Sequence, residues 1–238
     1  PEKIMDSLGK LQNFLLVQPV DSCRISWRQL SAHFFFGDSK YLDVPVRRSF
    51  LIALFPRLEK CIIERPLQLS VFLKPDARAI LFIENWDTFL ALINSNNVTD
   101  YHLLYTAGFK ASAKSVRHSE GVQFFYSGDF PSINAFELFW FNAGSDYFDV
   151  YFLGDLDYSG LEILNKLSLS FPSIKAWRQG YEPMLQALSE GYGHTADQTG
   201  KEKQKSPSNL SCEYARDYLL PVVDETGLML DQEWFRDI

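Results

Sequence analysis

The chain has 238 residues, 46% hydrophobic and 15% aromatic with 20 Phe, which excludes wholesale disorder and suffices for one large packed domain or two small ones. No apolar run approaches the ~20 residues of a membrane span, and three widely spaced cysteines (Cys23, Cys61, Cys212) argue against a disulfide scaffold and for a reducing compartment such as a bacterial cytoplasm. The net charge of −7 is lopsided, with seven of the 30 acids but only two of the 23 bases lying from Glu213 onward, so charge neither supports nor excludes a nucleic-acid partner.

The chain opens on Pro1 rather than Met, which reads as a piece of a longer chain with no signal peptide in view. Leu8, Leu11, Leu15 and Leu16 set a helix over 5–18. Ser26 is a candidate N-cap for a second short helix beginning Trp27-Arg28-Gln29-Leu30. Phe34-Phe35-Phe36 runs into the turn Gly37-Asp38-Ser39-Lys40, and a third helix is expected over 46–58, after Pro45 and stopped near Pro56. Three helices followed by the strand-like Ile62-Ile63 and 67–73 outline a winged-helix module over 1–74. From 75 to 238 the texture changes to alternating strands and helices. Strands are expected over 79–83, 101–105, 148–153 and 174–177, and helices over 86–93, 111–119, 133–141 and 160–168. Such alternation implies an α/β domain with a mostly parallel, Rossmann-like sheet. The segment 191–209, rich in Gly, Ser, Thr, Lys and Gln, is expected to be a mobile loop.

Acids follow two of the strands. Ala79-Ile80-Leu81-Phe82-Ile83 leads into Glu84, and Tyr151-Phe152-Leu153-Gly154 leads into Asp155-Leu156-Asp157. Ligands of parallel sheets bind beyond the carboxyl ends of the strands. Positions i and i+2 of an extended segment face the same side, so Asp155 and Asp157 can address one ion, with Glu84 ~5 Å away if its strand is adjacent. At ~5 Å and an effective dielectric of ~20, each pair of carboxylates repels by roughly 3 kcal/mol. A hard divalent cation removes that conflict, and an all-oxygen donor set selects Mg²⁺ or Mn²⁺ over zinc. Gly160 would let the chain turn sharply from strand into helix. The same Asp-x-Asp also suits a plain helix cap.

These segments carry a family resemblance. Ile83-Glu84-Asn85 followed by Gly154-Asp155-Leu156-Asp157 and Gly160 resembles the Toprim fold of topoisomerases, primases and related nucleases. Together with Phe36-Gly37-Asp38-Ser39-Lys40-Tyr41-Leu42, Gly160-Leu161-Glu162-Ile163, Tyr214-Ala215-Arg216 and Leu230-Asp231-Gln232-Glu233, they resemble the JetD nuclease subunits of Wadjet plasmid-defence systems, from about Ser26 to Glu233. Tyr158-Ser159 departs from the Pro-Ala common in such motifs. The resemblance implies a topoisomerase VI A-like architecture, with a winged-helix (CAP-like) domain over 1–74 and a Toprim domain over 75–238. It further implies a homodimer and Mg²⁺- or Mn²⁺-dependent cleavage of double-stranded plasmid DNA beside a condensin-like SMC complex (JetABC). By position, Glu84 is then the general acid/base or a metal ligand, and Asp155 and Asp157 are metal ligands.

Other candidates have bland alternatives. Lys110, Lys114 and Arg117 recur at helical spacing and are expected either to bind phosphates or to form a solvated face. Arg28, Lys40, Arg47 and Arg48 surround the winged-helix candidate and could meet backbone phosphates. Lys201, Lys203 and Lys205 would either clamp DNA or ride on a solvated linker. Glu162 is a further metal ligand or a surface charge. Two other functions stay open: a transesterase using Tyr41 as a nucleophile, and a non-catalytic DNA-binding module with a vestigial Toprim.

Overall fold

The computed structural model describes residues 2–19, 23–63, 66–106, 116–142 and 147–235. They form two compact units that divide between Pro66 and Leu67. Among the described residues no helix is long and apolar enough to cross a membrane.

The first unit is helical. Helix α1 (Glu2–Val17) buries Ser7, Leu11 and Leu15 along one stripe. Helix α2 (Trp27–Phe34) begins at a reciprocal capping box, in which the Ser26 hydroxyl accepts from the Gln29 N–H and the Gln29 side chain accepts from the Ser26 N–H. The chain leaves α2 through Phe36 and Gly37, both left-handed at φ 62° and 72°. The buried Ser31 hydroxyl then donates to the Asp38 carbonyl at 2.6 Å and accepts from the Leu42 N–H at 3.1 Å, fixing the turn onto a 3₁₀ segment, Tyr41–Asp43. Helix α3 (Pro45–Leu54) carries its proline at the first turn, where no N–H is needed. It stops short of the expected 58 because Phe55, preceding Pro56, is disfavoured in the helical region. Helix α4 (Leu58–Cys61) follows. Leu11, Leu30, Phe35, Leu42, Leu51 and Leu58 fill a core of their own. The winged-helix outline is reproduced only in its helices. Among the described residues, strand pairing here is a single parallel bridge, Ile25 to Ile62. The segment 67–73, expected as a strand of this module, lies in the sheet of the second unit instead.

That sheet has six strands: β1 (Leu67–Leu73), β2 (Ala79–Ile83), β3 (Tyr101–Tyr105), β4 (Val122–Gly128), β5 (Asp149–Leu153) and β6 (Lys175–Ala176), in the order β4-β1-β3-β2-β5-β6. Every neighbouring pair is parallel except β1 with β3, so the mostly parallel α/β sheet expected from the sequence is present. β2 is central and all five of its residues are buried, the pattern of a strand covered on both faces. β4 is an edge strand in which only Val122 and Phe124 of seven residues are buried, and its Phe124-Phe125-Tyr126 run is too short to mark a strand by itself. Helices α5 (Trp86–Ile93), α6 (Ile133–Phe141) and α7 (Tyr158–Ser168) fall where the sequence puts them. Helix α8 (Arg178–Ser189) does not announce itself, since Pro183 interrupts it. Buried Tyr181, Met184, Ala187 and Leu188, at helical spacing, hold it nonetheless. A π-helical turn, Ala215–Leu219, continues as α9 (Leu220–Thr226). The phenylalanine excess goes into the core, where Phe82 meets Trp140 at 5.8 Å and Phe171 at 5.0 Å, and Phe124 meets Trp140 edge-on at 5.1 Å.

Most of the basic helix expected over 111–119 lies outside the described residues. Lys110 and Lys114 lie outside the described residues, and 116–119 form turns. Arg117 faces inward: it donates to the carbonyls of Ser170 (3.3 Å), Phe139 (2.9 Å) and Asn142 (2.8 Å) and lies 4.7 Å over the Phe171 ring. Burial lowers its pKa, and the three carbonyls take up its charge-assisted bonds. Arg117→Met should therefore lower unfolding free energy by about 2–4 kcal/mol in urea titrations. Arg117→Lys should not restore it, because an ammonium lacks the fork that reaches three acceptors. A loss below about 0.5 kcal/mol would return Arg117 to the solvated surface.

Candidate active site

β2 and β5 are parallel neighbours with Ile83 opposite Leu153, so both strands end at the same level. Glu84 and Asp155 therefore emerge side by side at the carboxyl edge of the sheet. The Glu84 N–H donates to the Leu153 carbonyl at 3.0 Å, and the Asp155 N–H donates to Glu84 Oε2 at 3.3 Å. Gly154 makes this approach feasible, since a Cβ there would collide with the Glu84 carboxylate and the Phe152 ring. Its N–H donates to the hydroxyl of fully buried Tyr181 at 3.0 Å.

Asp157 is only 1% exposed and is the N-cap of α7, its Oδ1 accepting from the Gly160 N–H at 2.8 Å. A Cβ at Gly160 would strike the Asp155 carbonyl, so this glycine is required for close backbone approach as well as for the turn. The capping role that the sequence left open for Asp157 is thus real, and it leaves Oδ2 facing the other acids' surroundings. There the Gln204 side chain donates to it at 2.9 Å and Lys201 Nζ lies 2.8 Å away.

Lys201 is the hub of the arrangement. Its ammonium is also 2.8 Å from Asp231 Oδ1 and 3.5 Å from Asp155 Oδ2, with the side chain 19% exposed. Burial works against its charge, yet the hydrogen bonds to Asp157 and Asp231 outweigh that and raise its pKa above the usual lysine value. Within the segment 191–209, expected as a mobile loop, the 194–204 portion lies across the carboxylates and is tied to them. His194 pairs with Met229 as an antiparallel bridge and contacts Asp231 at 3.3 Å, and the Gln204 side-chain oxygen Oε1 accepts from the Ser159 N–H. The C-terminal stretch closes the other side. Leu230 bridges Leu156, the Gln232 N–H donates to Asp155 Oδ1 at 2.9 Å, and the Asn85 amide donates to Glu233 at 2.5 Å.

The electrostatics record incomplete neutralisation. Burial, reinforced by the Asp155 charge, pushes Glu84 up to about 7. Burial also raises Asp155, against the opposing pull of the Gln232 N–H and Lys201. The donor chemistry fits a hard divalent ion, being all oxygen and rich in charge. Among the described residues, however, no three His, Cys, Asp or Glu side chains are gathered closely enough to hold one, because an ammonium stands between the acids.

The remaining sequence candidates are placed elsewhere. In the first unit, Arg28 and Arg48 share Asp43 at 3.3 and 3.1 Å, while exposed Lys40 caps nothing with its side chain. Arg47 donates to the Tyr41 carbonyl at 2.7 Å and lies 4.1 Å over the Tyr41 ring, which also stacks on Phe35 at 5.0 Å and meets Phe36 edge-on at 5.6 Å. Tyr41 is packing in this structure. Glu162 pairs with Lys166 at 3.4 Å on the surface of α7. Lys203 and Lys205 line a cavity of about 420 Å³ with Tyr158, Ser159 and Lys166, beside the start of α7. Lys201, which the sequence offers only as a DNA clamp or linker charge, and Gln204 and Asp231 carry no local signal of their place beside the acids, because they follow Asp157 by 44 to 74 residues in no shared motif. For Asp231 the one signal was its place in the resemblance at 230–233.

Residues 46–235 match the family model described as Wadjet protein JetD, C-terminal. The chain belongs to the JetD family. No curated protein matches it. The JetD match spans both acidic strand ends, the 194–204 strap and the 230–233 stretch, and it begins within α3, after Arg28, Lys40 and Tyr41. JetD membership implies a role in a Wadjet system.

The raised pKa of Glu84 has a stability consequence with a definite sign. The unfolded chain releases this proton near 4.5, whereas the folded protein holds it to about 7. Its contribution is therefore intact below pH 4.5 and is lost as pH rises through 7. Thermal midpoints recorded in EDTA should fall across that window, and Glu84→Gln should flatten the fall. An unchanged profile in Glu84→Gln would remove Glu84 as its source.

Proposed function

We propose that the chain is a metal-dependent DNA endonuclease subunit of Toprim type. It would act on double-stranded, closed-circular plasmid DNA with a condensin-like SMC complex (JetABC), as a homodimer. The observation that carries this is the placement of Glu84, Asp155 and Asp157 beyond the carboxyl ends of two adjacent parallel strands, with the half-buried Lys201 ammonium between Asp155 and Asp157. Structural acids seldom crowd in this way without a task, whereas sites that handle phosphates and protons do.

Glu84, Asp155 and Asp157 would hold Mg²⁺ or Mn²⁺, which when bound supplies Lewis-acid polarisation of the phosphate and a more acidic water. The residues do the rest. Glu84 is the general acid/base or a ligand of the ion, and its carboxylate, accepting from the Asp155 N–H, stands beside the ion position for either task. The Asp155 backbone N–H is held by Glu84 and its Oδ1 by the Gln232 N–H, which fixes the direction of Oδ2, the oxygen that faces Lys201. The lysines around the cavity at the start of α7 offer phosphate contacts next to these acids. Transesterification through Tyr41 finds no such support, since that ring is held between Phe35 and Arg47.

Asp155→Asn is the informative variant, because Asp157 also caps α7 and its loss would confound chemistry with folding. Incubated with closed-circular plasmid and Mg²⁺ or Mn²⁺, with JetABC supplied, the wild type should yield nicked or linear product. Asp155→Asn should be slower by at least about 100-fold with its thermal midpoint within a few degrees. Cleavage by Asp155→Asn at the wild-type rate would overturn the assignment.

A further inference from the structure

Two side chains of the 194–204 strap, Lys201 and Gln204, end on the same atom, Asp157 Oδ2, at 2.8 and 2.9 Å. A carboxylate oxygen has two lone-pair directions, and here both are taken. Oδ1 of the same residue is committed to the Gly160 N–H. Asp157 cannot present Oδ2 to an ion while the strap stays in place. The same ammonium stands 3.5 Å from Asp155 Oδ2, the second acid any ion in this position would need. The strap's other ties are His194 to Met229 and Asp231 at one end, the Lys201 ammonium to Asp231 at 2.8 Å, Ala196 against the core, and the Gln204 side chain to Ser159 at the other end. Between them Lys201 is joined to its own segment through its N–H, bonded to the Ala196 carbonyl, and its carbonyl, bonded to the Gln204 N–H.

We propose that Lys201 and a divalent ion are alternative occupants of the Asp155–Asp157 pair, so that loading the ion expels Lys201 and Gln204 and frees the strap. This rests on the metal reading of the site. Lys201 is on this account a positioning residue: it keeps the acids folded together without the ion and sets how tightly the ion binds. The physical ground is exclusion at one oxygen together with like charge, since an ammonium and a divalent cation cannot share a point surrounded by the same carboxylates. Coupling is then reciprocal, and whatever loosens the strap tightens the ion. Expulsion would also add a displaced ammonium to the already exposed Lys203 and Lys205 beside the site, where a phosphate backbone could meet them.

The test uses Mn²⁺ alone as the probe. Binding to the whole chain is measured by calorimetry and by the electron paramagnetic resonance of free Mn²⁺, for the wild type, Lys201→Gln, Gln204→Ala and Lys203→Gln. Lys201→Gln should bind Mn²⁺ about tenfold more tightly and Gln204→Ala several-fold more tightly. The second matters most, because it changes no charge and so cannot act by electrostatics alone. Lys203→Gln, which removes equal charge nearby without touching Asp157, should shift affinity less than about twofold. In the wild type, which needs no variant to fold, Mn²⁺ should make the strap cleavable by a lysine-specific endoprotease that leaves it intact in EDTA. Equal Mn²⁺ affinity across the four proteins, or a strap equally protected with and without Mn²⁺, overturns the exchange while leaving the metal site standing. Absence of Mn²⁺ binding in every protein overturns both.

Discussion

The second unit is organised around a concentration of negative charge that it cannot avoid. Once β2 and β5 pair in register, with Ile83 opposite Leu153, the residues that follow must leave the sheet together. The Asp155 charge adds to burial in raising Glu84, and the Asp157 and Asp231 charges add to burial in raising Asp155. Neither strand carries a base to answer them. The answer comes from far along the chain, through Lys201, and through backbone N–H groups at Gly160, Asp155 and Gln232. The paths of the strap and of the C-terminal stretch follow from that requirement, since both run to where positive charge and donors are wanted.

The platform beneath the acids is correspondingly rigid. β2 is wholly buried, and the aromatic layer of Phe82, Trp140 and Phe171 fixes one face of the sheet. Gly154 and Gly160 allow the Glu84 and Asp155 segments to approach within distances that any side chain would forbid. Tyr181, from α8, reaches under the turn to hold the Gly154 N–H. Groups on strands and helix starts are thereby set in place, while the groups that neutralise them sit on an irregular segment. That division suits a site in which one part must stay fixed and another must yield.

The sequence makes the rigid part readable and conceals the yielding part. The strands at 79–83, 101–105, 148–153 and 174–177 carry short apolar runs, and the acids stand at the ends of two of them, so periodicity and the strand-end rule suffice. Ser26 with Gln29 is similarly plain, because a capping box is local. What fails is whatever depends on remote partners. Arg117 looks like part of a basic face because sequence shows its charge but not the three carbonyls that face it. The segment 191–209 looks mobile because its composition is that of a linker, and only the folded acids give Lys201 and Gln204 something to hold. Segment 67–73 reads correctly as a strand, but its partners β3 and β4 lie 28 or more residues onward, so its unit cannot be read from local pattern.

Net charge illustrates the same limit and bears on the partner. The acids gathered from Glu213 onward weigh, by simple counting, against a nucleic-acid surface. In the structure several of them are spent internally: Asp224 accepts from the Tyr158 hydroxyl at 2.9 Å, Asp231 faces Lys201 and His194, Glu233 takes the Asn85 amide, and Asp217 pairs with Arg216. An acid already bound to a donor presents less field to a phosphate backbone than an unpaired one. Asp231 and Glu233 also lie at the site itself, where negative charge is what a divalent cation would require. The acidic tail is therefore part of the construction of the carboxylate site, and the formal charge of −7 describes the chain without describing the surface it offers.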